Sequence, residues 1–297
     1  MYKLIKTLAL RNHFKFNLAK SNDIRNELRS RRKERALVAA VKSLPKDAVY
    51  VRHVYNPDWE RLGLQVNLVN LIRDPISRMA SWFYFVRWDS KAELSCPGRQ
   101  RLCFHWAATR WKVVLVDWPT QPIYISGNLP GRPKPSWRQK TFDSCVMPRD
   151  PECQMGGNRY IENFLPEFKA QMLSEDFCIR SELLLSYFCG YGPGCSDPED
   201  VSALQRAKAA VEEQYSVVGI VEMRNVSLAV MEAYLPQWFH RATVLQEKEE
   251  KREMVNSHPE PGRHTRTELM RRLRLDYNFY HFCVQRLQMQ WKKIQQN

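Results

Sequence analysis

Apolar positions in this chain alternate between short continuous runs and helical spacing. Leu64 to Ile72 (LQVNLVNLI) is an apolar run, too short to cross a membrane and long enough for a buried strand. It stops at Arg73-Asp74-Pro75. Proline disfavours the helical region for the residue before it, yet fits the first turn of a helix. Strand, turn and helix are therefore predicted in that order. Ala48 to Tyr55 reads as a second strand and Val217 to Val221 as a short buried one. Asn22 to Ser43 reads as a basic helix ended by Pro45. Glu199 to Tyr215 reads as a helix with Leu204, Ala207, Ala210 and Val211 on one face. Val226 to Tyr234 is a helix stopped by Pro236. Thr267 to Gln295 reads as one long amphipathic helix with Leu269, Leu273, Tyr277, Tyr280, Val284 and Leu287 as its stripe. Residues 247–266 are charged and irregular, with Pro259, Pro261 and Gly262. Strands alternating with helices predict a parallel sheet of the α/β class. No internal repeat is visible.

Residues 89–136 break this alternation. They contain Pro97-Gly98, a piece rich in Trp and Val from Trp106 to Trp118, and a proline-rich end from Pro119 to Pro135. A structureless loop of this length inside a domain is uncommon, so the segment reads as an insertion in a single domain spanning 1–297. Weak β tendency is confined to Val113–Val116 and Pro122–Ile125.

With 297 residues the chain can bury a large core, and 44% hydrophobic content with 11% aromatics excludes a wholly disordered chain. The net charge of +14 points to polyanionic partners: nucleic acid, an anionic membrane surface or an acidic polysaccharide. No zinc or other metal-ligand spacing, RNA-binding signature or helix-turn-helix pattern favours nucleic acid. Among eight cysteines, Cys145 and Cys153 bound one short loop and Cys189 and Cys195 another. Neither is C-x-x-C, and both look like local disulfide staples, which need an oxidising compartment. Asn225-Val226-Ser227 is a glycosylation acceptor sequence.

Candidate chemistry starts at the predicted strand end. Arg73, with the Ser81 hydroxyl eight residues later, makes a receptor for a phosphate or sulfate group. Arginine gives two parallel charge-assisted hydrogen bonds and serine adds one. Spacing also places Ser81 near Arg78 on one helical face. His53 ends the other predicted strand, and both strands can deliver their carboxyl ends to one crevice. Its ordinary pKa suits a general base near neutral pH.

The pattern R-D-P-x-x-R-x-x-S after an apolar strand resembles the 3′-phosphate-binding segment of sulfotransferases that use PAPS (3′-phosphoadenosine 5′-phosphosulfate). Tyr50-Val51-Arg52-His53-Val54, Lys140-Thr141-Phe142-Asp143-Ser144-Cys145-Val146 and Tyr187-Phe188-Cys189-Gly190 extend the likeness. Together they resemble the heparan sulfate 2-O- and uronyl 2-O-sulfotransferases, over roughly residues 14–88 and 137–295. The resemblance implies a P-loop-type sulfotransferase fold, with a central parallel sheet flanked by helices. It implies PAPS as sulfate donor, Arg73 and Ser81 on its 3′-phosphate, and His53 as catalytic base. The acceptor it implies is the 2-hydroxyl of a uronic acid in an acidic glycan such as a glycosaminoglycan, with Arg52, Arg138 and Lys140 as basic contacts. It also implies Cys145–Cys153 and Cys189–Cys195 disulfides and a place in the Golgi lumen, a secretory setting that the acceptor sequence at Asn225 fits. Homo-oligomers are among the assemblies it allows. Cys96, Cys103, Cys178 and Cys283 gain no partner from it.

Family members carry an N-terminal membrane anchor, and a phosphate-cradling loop after the first strand. Met1 to Arg11, a short apolar stretch broken by lysines, is neither a signal peptide nor a membrane span. The expectation is therefore a chain truncated at its N-terminus, lacking first strand and phosphate loop, with little or no turnover. Two readings remain: a PAPS-dependent 2-O-sulfotransferase, or a non-catalytic glycan-binding relative.

Overall fold

A computed structural model describes residues 2–18, 31–52, 54–92, 139–147, 183–195, 197–250 and 258–296. Helix α1 (Tyr2–Arg11) leads into β1 (Lys15–Leu18). Then come α2 (Arg31–Lys42), β2 (Ala48–Val51), β3 (Leu68–Ile72) and α3 (Pro75–Ala92). Among the described residues two short helices follow, α4 (Phe142–Val146) and α5 (Leu184–Cys189). Helix α6 (Val201–Gln214) runs directly into β4 (Tyr215–Ile220). After a 3₁₀ turn at Val221–Met223 come α7 (Arg224–Tyr234), α8 (Pro236–Phe239), α9 (Ala242–Glu250), α10 (Arg263–Arg272) and α11 (Arg274–Gln295).

The strands are parallel, as the alternation predicts. Among the described residues they form two pairs, β1 with β2 and β3 with β4, rather than one central sheet. Both strands predicted early in the chain are shorter than expected. Pairing begins at Leu68 instead of Leu64, and β2 ends at Val51, before the Arg52–Tyr55 stretch. The predicted insertion overlaps structure at its start, because α3 continues to Ala92; residues 93–136 lie outside the described residues.

Two apolar clusters organise the helices. The larger joins α1, α5, α6, α7 and α11 to β3 and β4, with Leu4, Leu8, Ile72, Leu185, Phe188, Val217, Ile220, Phe279 and Leu287 inside it. The expected face of α6 (Leu204, Ala207, Ala210, Val211) is buried here, and Asp200 caps that helix by accepting from Ser202 and Ala203 N–H. The smaller cluster holds Ile76, Met79, Ala80 and Phe83 of α3 against Phe142, Cys145 and Val146 of α4 and against Leu269 and Leu273.

These two clusters correct the reading of 267–295 as one helix. The segment is two helices meeting at Leu273 (φ −98°, ψ 24°), and the first starts at Arg263, inside the stretch expected to be irregular. Leu269 and Leu273 serve the small cluster, whereas Leu275, Phe279, Cys283 and Leu287 serve the large one. One straight helix cannot aim its stripe at both. The stripe itself is as expected, with Leu269, Leu273, Tyr280 and Leu287 buried and Tyr277 and Val284 partly so.

Helix α7 lies close over β4. A Cβ on Gly219 would stand 2.7 Å from Leu71, 2.9 Å from Met231 and 3.0 Å from Ser227. The fully buried Ser227 hydroxyl donates to Ile220 O (2.9 Å) and accepts from Ile220 N–H (2.8 Å). That locks the helix to the strand end. Asn225 is exposed in the first turn of α7.

Candidate anion site at the strand ends

Ile72 of β3 and Ile220 of β4 are register partners, and the chain leaves both strands in the same direction. Arg73-Asp74 and Val221-Glu222 therefore emerge side by side, at the carboxyl edge of a parallel pair. This is where ligands bind in open α/β sheets.

Asp74 makes the corner rigid. Its Oδ1 accepts from Ser77 N–H (2.8 Å) and its carbonyl accepts from Arg78 N–H (2.8 Å), the pattern of a helix N-cap. Its Oδ2 accepts from the Tyr277 hydroxyl of α11 at 2.8 Å. Glu222 Oε1 accepts from Asp74 N–H (3.1 Å), and Oε2 accepts from the Tyr280 hydroxyl (3.1 Å). Arg73 Nε stands 3.8 Å from Glu222 Oε1, with about a third of each side chain exposed (34% and 38%). Burial first, and then the adjoining carboxylates, push both tyrosine hydroxyls well above their usual value of 10.0. They stay protonated donors and hold the corner; neither is a base.

Arg78 separates from this group. It shares α3 with Ser81, and its side chain is buried, with its guanidinium carbon 6.0 Å from the Tyr187 ring centre. Its charge reaches the buried Asp276. Burial pushes that carboxyl above 3.8, and Arg78 together with two backbone amides opposes the rise. Those amides are Leu184 and Leu185 N–H, at 3.0 and 3.1 Å, so Asp276 caps α5 from 91 and 92 residues away.

Ser81 is partly exposed on α3, one helical turn beyond the partly exposed Ser77. Further along α3, the Tyr84 hydroxyl accepts from Phe142 N–H (3.1 Å), and its ring stacks on His258 (centroids 5.2 Å, 16° between planes). Asp143 of α4 accepts from Gly262 N–H at 3.0 and 3.1 Å, just before α10. Lys140 precedes the Thr141–Ser144 capping box of α4, so it belongs to this same junction beside α3.

Arg52 lies one residue beyond β2, on the other strand pair. Its Nε, like Asn17 Nδ2 of β1, is buried with no hydrogen-bond partner. His53, Arg138 and Cys153 lie outside the described residues, as do Cys96, Cys103 and Cys178. Just after His53 the chain is clamped. Tyr55 packs on Tyr187 (5.1 Å) and Tyr191 (5.5 Å), and Asn56 N–H donates to Tyr187 O (2.8 Å). The Asn56 side chain accepts from Trp59 Nε1–H and donates to Gln214 Oε1. The Cys189–Cys195 disulfide is formed, and Cys145 is disulfide-bonded and buried. Cys283 is a buried free thiol. Among the described residues no group of His, Cys, Asp and Glu could hold a metal ion, and no helix is long and apolar enough to cross a membrane.

The sequence reading named Arg73 and Ser81 as candidates; it did not name Glu222 or Asp276, and it gave Tyr277 and Tyr280 only a place in an apolar stripe. Only the apolar stripe of α11, which carries both tyrosines, hinted at an element facing the strand ends.

The chain is similar over most of its length to curated glycosaminoglycan 2-O-sulfotransferases. The chain is 27% identical over 271 residues to the uronyl 2-sulfotransferase homolog pip of Drosophila melanogaster. It is 25% identical over 290 residues to the uronyl 2-sulfotransferase of Mus musculus, and 23% over 249 residues to heparan sulfate 2-O-sulfotransferase 1 of Xenopus laevis. The chain is similar to these 2-O-sulfotransferases. The matches cover 89%, 94% and 82% of this chain and 45%, 57% and 54% of those proteins. The chain thus spans about half the length of the curated proteins it matches. No protein-family model matches it.

Proposed function

We propose that this chain carries the donor 3′-phosphate site and acceptor-activating residues of a glycosaminoglycan 2-O-sulfotransferase. The reaction is transfer of a sulfuryl group from PAPS to the 2-hydroxyl of a uronic acid. The observation that carries this reading is the Arg73 corner, a partly exposed guanidinium at the carboxyl edge of a parallel strand pair, in a chain whose relatives are named 2-sulfotransferases.

The corner fits a phosphate. Arg73 meets Glu222 at 3.8 Å, beyond hydrogen-bond length, so this contact does not use up the N–H groups that an incoming oxygen needs. Ser81 adds a hydroxyl from α3, the helix that starts two residues after Arg73. Bound PAPS would supply an activated sulfuryl group. His53 takes the proton from the acceptor hydroxyl as its oxygen bonds to sulfur and the bond from sulfur to the phosphate oxygen breaks. Arg52, Arg138 and Lys140 supply positive charge to the acidic glycan, in keeping with the +14 net charge. The compartment proposed is the Golgi lumen, which suits the Cys189–Cys195 disulfide and glycosylation at Asn225. A membrane anchor and self-association would belong to the whole protein.

Calorimetric titration with PAP, the desulfated donor, tests the site. Arg73→Ala should weaken binding by about 1.5–3 kcal/mol, the worth of a hydrogen bond to a charged group. Equal affinities would remove the assignment. Radiolabelled transfer from PAPS to desulfated heparan or dermatan, lost in His53→Ala, would establish the enzyme. PAP binding without transfer would support the glycan-binding alternative.

A further inference from the structure

We infer that Glu222 is the positioning residue for Arg73 in the 3′-phosphate site, an inference that rests on the function proposed above. An arginine side chain has four soft torsions, and a phosphate gains two parallel hydrogen bonds only if the guanidinium is already aimed. Arg73 leaves β3 at a tight corner, and the neighbour that meets its charge is the carboxylate emerging from the paired strand β4.

That carboxylate is itself fixed at both oxygens. Asp74 N–H holds Oε1 and the Tyr280 hydroxyl holds Oε2. Asp74 is held in turn by Ser77 N–H and Tyr277. Glu222 cannot follow the guanidinium as it moves, so it acts as a stationary negative pole at the end of β4. Its approach is to Nε, which leaves the two Nη groups as the edge offered to a phosphate. The charge of Glu222 also repels an anion. The geometry separates the two effects, because a glutamine there keeps both contacts. Its oxygen still accepts from Asp74 N–H, and its amide nitrogen donates to Tyr280.

The test is a double-mutant cycle read by calorimetric PAP affinity, with circular dichroism as the folding check. Glu222→Ala should weaken PAP about tenfold, because the arginine fork is no longer aimed. Glu222→Gln keeps the Asp74 and Tyr280 contacts but removes the negative pole, so its affinity should fall between those of the parent and Glu222→Ala. Arg73→Ala/Glu222→Ala should bind no worse than Arg73→Ala. If Glu222→Ala unfolds the chain, Tyr280→Phe frees one carboxylate oxygen and should weaken PAP only where Arg73 is present. Unchanged affinity in Glu222→Ala, or the same loss with and without Arg73, overturns the inference. A parent that binds no PAP fails the proposed function and takes this inference with it. A parent whose binding depends on Arg73 but not on Glu222 or Tyr280 fails this inference alone.

Discussion

Tyr277 donates its hydroxyl to Asp74 across 203 residues of chain, at 2.8 Å. Asp74 is at once the N-cap of α3 and the anchor point of α11, so one carboxylate joins the strand end to the last helix. Tyr277→Phe should cost about 1 kcal/mol, the net worth of one hydrogen bond. Asp74→Ala should cost about 2 kcal/mol, because the cap is lost as well. Urea denaturation of the two variants checks this; equal costs would show that the helix cap adds nothing, and an unchanged Tyr277→Phe would show that the tyrosine contact contributes nothing.

Reading the sequence located Arg73 because proline marks the strand end locally. Glu222 was illegible because it meets Arg73 only after β3 and β4 pair across a long stretch of intervening chain. The break at Leu273 was illegible for a different reason. Leu269, Leu273 and Tyr277 fall at helical spacing whether or not the helix bends, and no glycine or proline marks the place. Only the existence of two separate apolar clusters requires it.

The disulfide loop lends itself to a direct check. Unreduced peptide mapping should recover a Cys189–Cys195 link. Replacing both cysteines by alanine should cost about 2 kcal/mol, as expected for closing a short loop. Gly190→Ala should cost at least as much: its φ is +86°, and the new Cβ would stand 2.4 Å from Asn56 O. A neutral Gly190→Ala would mean that the segment after His53 is not clamped as described.

Asp276 tests the buried charges. Asp276→Asn leaves Arg78 with less compensation and sets an amide against one of two backbone donors. The expected loss is about 3 kcal/mol, read by thermal unfolding. Adding Arg78→Met should recover part of it. No recovery would show that Asp276 acts only as the cap of α5.

Glu268 predicts an acid dependence. Hydrogen bonds from Arg271 and then Arg272 lower its carboxyl from 4.5 to about 2. The folded value lies below the unfolded one, so the stabilisation is present above 4.5 and lost as pH falls towards 2. The gap in Tm between the parent and Glu268→Gln should close across that window, and high salt should shrink it at neutral pH. A gap constant with pH would exclude these pairs as its source.

The two tyrosine contacts also set an order of assembly. A ribosome releases β3 and the Arg73 corner long before it makes α11, so the nascent chain holds the guanidinium and its helix cap without their outer brace. The corner matures only once the end of the chain has emerged and docked. A stop codon before Tyr277 would leave Arg73, Asp74 and Glu222 in the sequence, yet yield a corner whose two carboxylates lack their tyrosine partners.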